Sequence, residues 1–486
     1  MSIPKRPKII CLGVKAGYFD SSEFEYRNLI LEYKDKIETN DLIVSRGIIL
    51  YFNKDKQSIF KKHINELGHS AENHGVILQA YCVSESDYLA MKAIVDDSDC
   101  NIDLGKISMP VHALAEKFRR KVPAPAPNNA LVIDCIDVEL NETQKLLLKI
   151  AFHDCVKIFV RQLSGGLSGE VSLSVHAVFS DSRAGLRPLP FFAKIDERDK
   201  IQHEINNYQI YVHHFIPFNL RPNLSEDRCF IGACVGVIVG NLAEYTESLF
   251  YTARRGVARQ AINSLFDDSL RGWRIQADKV KKNPAIELNQ GDKLVFDPVK
   301  CKAEISGMAF EIGAKKSPDK LLEDIYQLPV MDFYETPIHG DLHSKNVLVR
   351  NTEAILIDFE RTRRGPLLSD IASLEVSLVF DTAEGDTKEG WRKLIDSLYS
   401  EEFLFRVPGP AKEPRKREWM WECVRILRQR AFSEQFTLRE YPLMLAMYLL
   451  RRSHWTGDKN LKDVDTFRRA YAYVIAEKLV DMVNRL

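Results

Sequence analysis

Short apolar runs and helically spaced apolar positions alternate through the first 118 residues of the chain. Ile9–Val14, Asp41–Ser45, Gly47–Phe52 and Gly75–Val83 predict strands, while the spacing over Lys56–Leu67 and Glu85–Ile94 predicts helices. Alternation of this kind predicts an α/β layer arrangement. The segment Arg119–Ala130, R-R-K-V-P-A-P-A-P-N-N-A, then reads as a stiff, solvated connector, because its prolines favour extended geometry.

Beyond the connector, Leu131–Asp154 predicts an extended segment followed by a helix with an apolar stripe at Leu146, Leu147, Ile150 and Ala151. The texture then turns to strands. Val156–Leu163, Val171–Phe179 and Pro190–Ile195 are rich in Val, Ile and Phe and are separated by Gly, Ser and Arg turns. After Asn241 the pattern is helical to the end, except for a strand-rich stretch around Ile338–Phe359. The expected domains are residues 1–118, a linker at 119–130, a sheet-based lobe at 131–240 and a helical lobe at 241–486.

Composition narrows the function classes. The 486 residues hold 68 Lys plus Arg against 68 Asp plus Glu, so no chain-wide charge draws the protein to nucleic acid or anionic lipid. The longest apolar run, Cys229–Gly240, falls well short of the roughly 20 residues that a membrane span needs and reads as a buried strand. No secretory signal is visible at the N-terminus, and nine cysteines without a C-x-x-C pair fit free thiols in a reducing cytosol. His63, His69 and His74 read as surface histidines rather than a metal cluster. Arg415, Lys416, Arg417, Arg425, Arg428 and Arg430 suggest a basic helix face whose default role is solubility.

The densest chemistry lies in I-H-G-D-L-H-S-K-N-V-L, from Ile338 to Leu348, followed by I-L-I-D-F-E at Ile355–Glu360. Phosphoryl transfer from Mg-ATP needs a carboxylate beside the acceptor hydroxyl and further oxygen ligands for magnesium. Asp341, Asn346 and Asp358 supply that set. Asp341 and Asn346 sit five positions apart on a loop entering a strand, and Asp358 follows twelve residues later, room for a hairpin with Arg350–Glu353 as its turn.

In these residues the sequence resembles the protein-kinase-like superfamily, most closely its aminoglycoside phosphotransferase and choline kinase branch, whose catalytic loop reads H-G-D-x-x-x-x-N. The resemblance implies an α+β, bilobal protein-kinase-like fold with a small β-rich lobe and a large helical lobe, here preceded by a small α/β domain. It implies ATP and Mg2+ as cofactors, Asp341 as catalytic base, Asn346 and Asp358 as magnesium ligands, and His339 as a support of the loop. Glu360 departs from the protein-kinase D-F-G and matches the looser endings of the small-molecule branch. Asp370, in S-D-I-A, resembles the downstream Asp that braces the catalytic loop.

The same resemblance directs attention upstream. Ser164–Gly169, S-G-G-L-S-G, lies between two predicted strands, where Gly165, Gly166 and Gly169 would let backbone N–H groups approach phosphates. Lys194, in F-F-A-K-I-D, resembles the strand lysine that meets the α and β phosphates, with Glu204 on the following predicted helix, Lys200–Phe215, as its ion-pair partner. Val235–Leu242 fits the strand entering a hinge, with Val239–Leu242 as the interval for adenine contacts.

The expected activity is an ATP- and magnesium-dependent phosphotransferase acting on a hydroxyl acceptor, a small molecule by preference. Two alternatives stand beside it: a kinase-like nucleotide sensor or scaffold working through residues 1–118 in signalling or a defence-type complex, and a protein kinase. The protein-kinase reading is weakened by Gly340, which stands where the arginine that pairs with a phosphorylated activation loop is usually found. Expected partners are ATP, the acceptor and a protein bound through residues 1–118, in the cytoplasm, with no membrane and no nucleic acid.

Overall fold

A computed structural model describes the chain apart from residues 1–7, 28, 38–40, 43–44, 74–75, 99, 101, 106–108, 121–126, 164–170, 181–188, 226, 232–234, 242–245, 291–293, 302, 381–387, 405–414 and 455–461. It divides into two compact units: residues 1–163, 169–203 and 223–242, and residues 164–168, 204–222 and 243–486. Residues 121–126 of the expected Pro-rich linker lie outside the described residues, and Arg119 and Arg120 belong to the Val111–Arg120 helix.

The first unit holds two sheets. One is built from β1 (Lys8–Leu12), β2 (Ile30–Lys34), β3 (Ser45–Tyr51), β4 (Ile77–Tyr81) and β5 (Asp103–Leu104), all parallel in the order β2-β1-β3-β4-β5. A parallel sheet buries both faces, and period-two alternation sorts its residues accordingly. Ile10, Leu12, Ile48, Leu50 and Leu78 pack with Phe60 and Ile64 of the Gln57–Asn73 helix and Met91 of the Glu85–Asp96 helix. Ile9, Cys11, Ile49 and Tyr81 face Leu114 and Phe118 of the Val111–Arg120 helix on the other side. Asp41 and Leu42 are helical rather than the start of a strand, and β2 is a strand that the pattern did not signal, since I-L-E-Y-K is only half-buried at the sheet edge.

The second sheet runs β10-β12-β9-β8-β7-β6, from β6 (Val132–Cys135), β7 (Cys155–Gln162), β8 (Val171–Phe179), β9 (Phe191–Glu197), β10 (Asn223–Leu224) and β12 (Val235–Asn241), with β11 (Phe230–Ile231) paired to β12. Its pairings are antiparallel except β6 with β7. One face packs on Leu147, Leu148 and Ala151 of the Glu142–Ala151 helix, which an Asn141 and Gln144 capping box starts. Ala193 and Ile195 belong to that core, so Lys194 between them lies on the opposite face of β9, where it is fully buried.

The second unit is mainly helical, with two small sheets. β13 (Glu247–Ser248) joins β16 (Val347–Arg350) and β17 (Glu353–Leu356), and β14 (Asp278–Lys282) joins β15 (Met331–Ile338) and β18 (Arg363–Pro366). Every residue of the Ser369–Phe380 helix is buried, which accounts for its lack of an amphipathic pattern. Around it lie the Arg415–Glu434, Glu440–His454 and Lys462–Arg485 helices. Two short helices, Leu249–Arg254 and Arg259–Ser264, are separated at Gly256, whose φ is 78°.

Of the basic face expected over Arg415–Arg430, the side chains of Arg415 and Lys416 lie outside the described residues, and Arg425, Arg428 and Arg430 do not share a charged face. Arg428 is fully buried and pairs with Glu375 at 2.7 Å, with Tyr441 donating to the same carboxylate at 2.8 Å. Arg430 pairs with Asp267 at 2.7 Å, and Arg425 with Glu422 at 2.8 Å. These cations neutralise local carboxylates instead of presenting a common charged surface.

Candidate active site

β15 delivers the chain to His339, and a compact loop then leads into β16. Within the loop, His343 N–H donates to the Asp341 carbonyl at 2.9 Å and Asn346 N–H to the His343 carbonyl at 2.9 Å. β16 and β17 form the expected hairpin, but the turn is tighter than the sequence suggested. Arg350 pairs directly with Glu353, and Asn351 takes up a left-handed φ of 57°, a conformation Asn tolerates better than most side chains. Ile357 N–H then reaches the Asn346 carbonyl at 3.1 Å and brings Asp358 back to the loop.

Asn346, Asp341 and Asp358 therefore meet. Asn346 Nδ2 donates to the Asp341 backbone carbonyl at 3.1 Å and lies 3.5 Å from Asp358 Oδ2. The first bond fixes the amide and leaves its oxygen as the remaining acceptor. Asp358 is itself held at a φ of 65°, a costly conformation for a residue with a side chain and one that collects at functional sites. Among the described residues no group of three His, Cys, Asp or Glu side chains gathers. The Asp358 carboxylate and the Asn346 amide oxygen are hard oxygen donors, the kind that bind magnesium when phosphate oxygens and water complete the shell.

The loop is braced from below. Asp370, at the start of the Ser369–Phe380 helix, accepts the N–H groups of His339 at 2.8 Å and Gly340 at 3.2 Å. Burial raises its pKa, opposed by His339 and by these two N–H groups. His339 is fully buried, and its Nε2 lies 3.0 Å from the Ile357 carbonyl, so it ties the loop to the segment after β17 that carries Asp358. Gly340 has a φ of 74°, and a Cβ there would stand 2.4 Å from the Arg361 carbonyl oxygen, so no other residue fits.

A second brace holds the D-F-E segment. Glu204 Oε1 accepts the Phe359 N–H at 3.2 Å, and Asn207 Nδ2 donates to the carbonyls of Phe359 at 2.9 Å and Glu360 at 2.8 Å. Both side chains belong to the Arg198–Asn207 helix and sit three residues apart, on one helix face.

Asp341 is not left to itself. Arg451, near the end of the Glu440–His454 helix, donates to Asp341 Oδ1 at 2.7 Å and to the Gly340 carbonyl at 3.0 Å. Withdrawal from water works to raise the Asp341 pKa, but Arg451, His343, Arg361 and His339 outweigh it and hold the carboxyl well below the usual carboxylate range. Beside it opens a cavity lined by Asp341 and His343 of the loop, Ser373, Val376 and Ser377 of one helix, and Tyr448, Arg451 and Arg452 of another.

The order and spacing of these residues resemble the aminoglycoside phosphotransferase and choline kinase branch. A family model described as Ternary complex associated domain 9 matches residues 303–407, a stretch that contains Asp341, Asn346, Asp358 and Asp370. No curated protein matches the chain. Similar solved structures include an amicoumacin kinase in complex with AMP-PNP and Ca2+, at 14% identity, 70% of this chain, 94% of that one and a TM-score of 0.39. A glucosamine kinase in complex with glucosamine, ADP and inorganic phosphate gives 12%, 71%, 84% and 0.34 in the same order, and a choline kinase from Cryptosporidium parvum Iowa II gives 13%, 67%, 90% and 0.33.

The remaining expected site residues fall elsewhere. Gly165, Gly166, Gly169 and Leu242 lie outside the described residues. Val239 is buried in β12, with its N–H directed at the Cys229 thiol at 3.4 Å and its carbonyl accepting from Ser225 at 2.8 Å. Lys194 belongs to the first unit and Glu204 to the second. Asn207, Tyr448 and Arg451 had no role in the sequence reading. The one available signal was the i, i+3, i+4 set Tyr448, Arg451 and Arg452, which places a hydroxyl and two cations on one side of a helix.

Proposed function

We propose that the protein is a phosphotransferase that moves the γ-phosphoryl group of ATP to a hydroxyl acceptor. The observation that carries this reading is the meeting of Asp341, Asn346 and Asp358 at one end of the β16–β17 hairpin, each fixed by hydrogen bonds or backbone geometry. Asp341 would orient the acceptor hydroxyl and take its proton. Asn346 and Asp358 would hold magnesium, which when bound neutralises charge on the transferring phosphoryl group. Lys194 would meet the nucleotide phosphates, paired with Glu204, and Asp370 and His339 would keep Asp341 in place. The kinase names of the solved structures agree with this reading.

The test is Mg-ATP binding by calorimetry with γ-phosphoryl transfer or release measured in parallel, comparing wild type with Asp358→Ala and Asp341→Asn. Asp358→Ala is expected to lose magnesium-dependent binding and turnover. Asp341→Asn is expected to bind ATP and turn over at least about a hundredfold more slowly. Unchanged turnover in either variant removes that residue from the reaction.

A second reading has its own support. The Arg451 guanidinium engages the carboxylate that would act as base, and the matching family model is described as associated with a ternary complex. A nucleotide-binding module that works within a protein assembly through residues 1–118 would show ATP binding without turnover, and a partner lost on deleting those residues.

A further inference from the structure

The cavity beside Asp341 has a chemical character of its own. Tyr448 is 2% exposed, lines the cavity, and its hydroxyl has no hydrogen-bond partner among the described residues. A buried hydroxyl left unpaired is costly, so its position makes sense if something in the cavity completes it. Arg451 lines the same wall one turn further along the helix. Of its five N–H donors, two are spent on Asp341 and the Gly340 carbonyl.

The charges in the lining decide between acceptor classes. Among the described lining residues Asp341 is the only carboxylate, against two guanidinium groups, Arg451 and Arg452. Arg452 is matched by Asp465 at 2.6 Å and Arg451 by Asp341 at 2.7 Å, but Arg451 keeps N–H donors beyond the two spent on Asp341 and Gly340, next to the unpaired Tyr448 hydroxyl. An ammonium-bearing acceptor would meet Arg451 and would have only Asp341 to pair with, the group needed for its hydroxyl. An acceptor carrying a carboxylate or phosphate meets the guanidinium fork and a free hydroxyl donor instead.

We infer that the cavity is the acceptor subsite and that it selects a small hydroxyl compound bearing an anionic group, bound by Arg451 and Tyr448 with its hydroxyl at Asp341. The inference rests on the phosphotransferase reading. In the step, the acceptor oxygen forms a bond to the γ-phosphorus, the bond from that phosphorus to the β–γ bridging oxygen breaks, ADP leaves with the electron pair, and the hydroxyl proton passes to the Asp341 carboxylate.

The experiment has two readouts on the full chain. Thermal shift is measured with D-glycerate, gluconate, 3-phosphoglycerate and glucose 6-phosphate, set against glycerol, glucose, choline and glucosamine. Phosphoryl transfer from Mg-ATP to the same compounds is then measured in wild type, Arg451→Gln and Tyr448→Phe. Anionic compounds are expected to stabilise wild type and to be the better acceptors. Tyr448→Phe, which keeps the shape of the side chain, is expected to raise their KM about 10-fold, and Arg451→Gln to lower the anionic-to-neutral selectivity about 100-fold. Comparing acceptors within one variant removes any general effect of freeing Asp341. Stabilisation by the cationic compounds, stabilisation by none of the anionic ones, or unchanged selectivity in both variants overturns the inference. The phosphotransferase reading fails separately, by absence of Mg-ATP binding and turnover.

Discussion

Arg451 and Asp341, 110 positions apart in the chain, form an ion pair of 2.7 Å. The arginine reaches the loop from the last turn of a buried helix, where a cation also complements the helix dipole. The pair keeps Asp341 ionised against the cost of its partial withdrawal from water. In the proposed reaction, Asp341 would thereby be kept in the charged form that takes the acceptor's proton.

A pH consequence follows from the direction of that shift. The Asp341 carboxyl sits below the usual range in the folded protein because of Arg451 and its cationic neighbours, so it stays charged into acid. With Arg451→Gln the desolvation that opposes them gains ground and the pKa climbs. The acid limb of the pH profile for Mg-ATP turnover is expected to move up by about 1 to 3 units. An acid limb that stays in place would show that Arg451 does not set the charge of Asp341.

Asp370 is expected to matter for both stability and rate. Asp370→Ala leaves the N–H groups of His339 and Gly340 buried without an acceptor, a loss of about 2 to 4 kcal/mol by denaturant titration. Turnover should fall further than ATP affinity does, because the loop that carries Asp341 is the part released.

Asn207 offers a milder probe. Asn207→Ala removes donors to the Phe359 and Glu360 carbonyls while Glu204 still holds the Phe359 N–H. The segment after Asp358 should loosen, seen as faster amide exchange there and weaker magnesium dependence, with a stability cost of about 1 to 2 kcal/mol.

Glu440 predicts a pH trend in stability. It is fully buried, accepts only the Phe436 N–H among the described residues, and burial pushes its carboxyl up to about 7 from an ordinary value of 4.5. Between those values the folded state holds a proton that the unfolded state has lost, so stability falls as pH rises across that window, by about 3 kcal/mol in all. Glu440→Gln should flatten the curve of denaturation midpoint against pH and gain on wild type above pH 7. A wild-type curve that is already level from pH 4.5 to pH 7 would refute the assignment.

How much of this could be read from the chain depends on whether the signal was local. β8 was expected at its observed bounds because its V-S-L-S-V-H-A-V-F alternates in sequence, and the D-x-x-x-x-N spacing brought Asp341 and Asn346 to one loop by chain geometry alone. What escaped depends on distance along the chain. The parity of β9 puts Lys194 on a face that only the pairing partners define. Arg428 looked like surface charge until Glu375, far upstream, was found buried beside it. Tyr448 and Arg451 lie on a helix whose residues are nearly all buried, where core packing masks the few positions that line the cavity.

The closed space at Gly340 also shapes what this sequence can become. A single base change turns a glycine codon into an arginine codon, so the loop is one mutation from the H-R-D form typical of protein kinases. That step is blocked here, since even the first carbon of a side chain would stand 2.4 Å from the Arg361 carbonyl oxygen, and the backbone is fixed at a φ of 74°. The backbone at residue 361 would have to move before the arginine arrived. Replacements at position 340 are therefore expected to be accepted only together with a change that lets the backbone at residue 361 move.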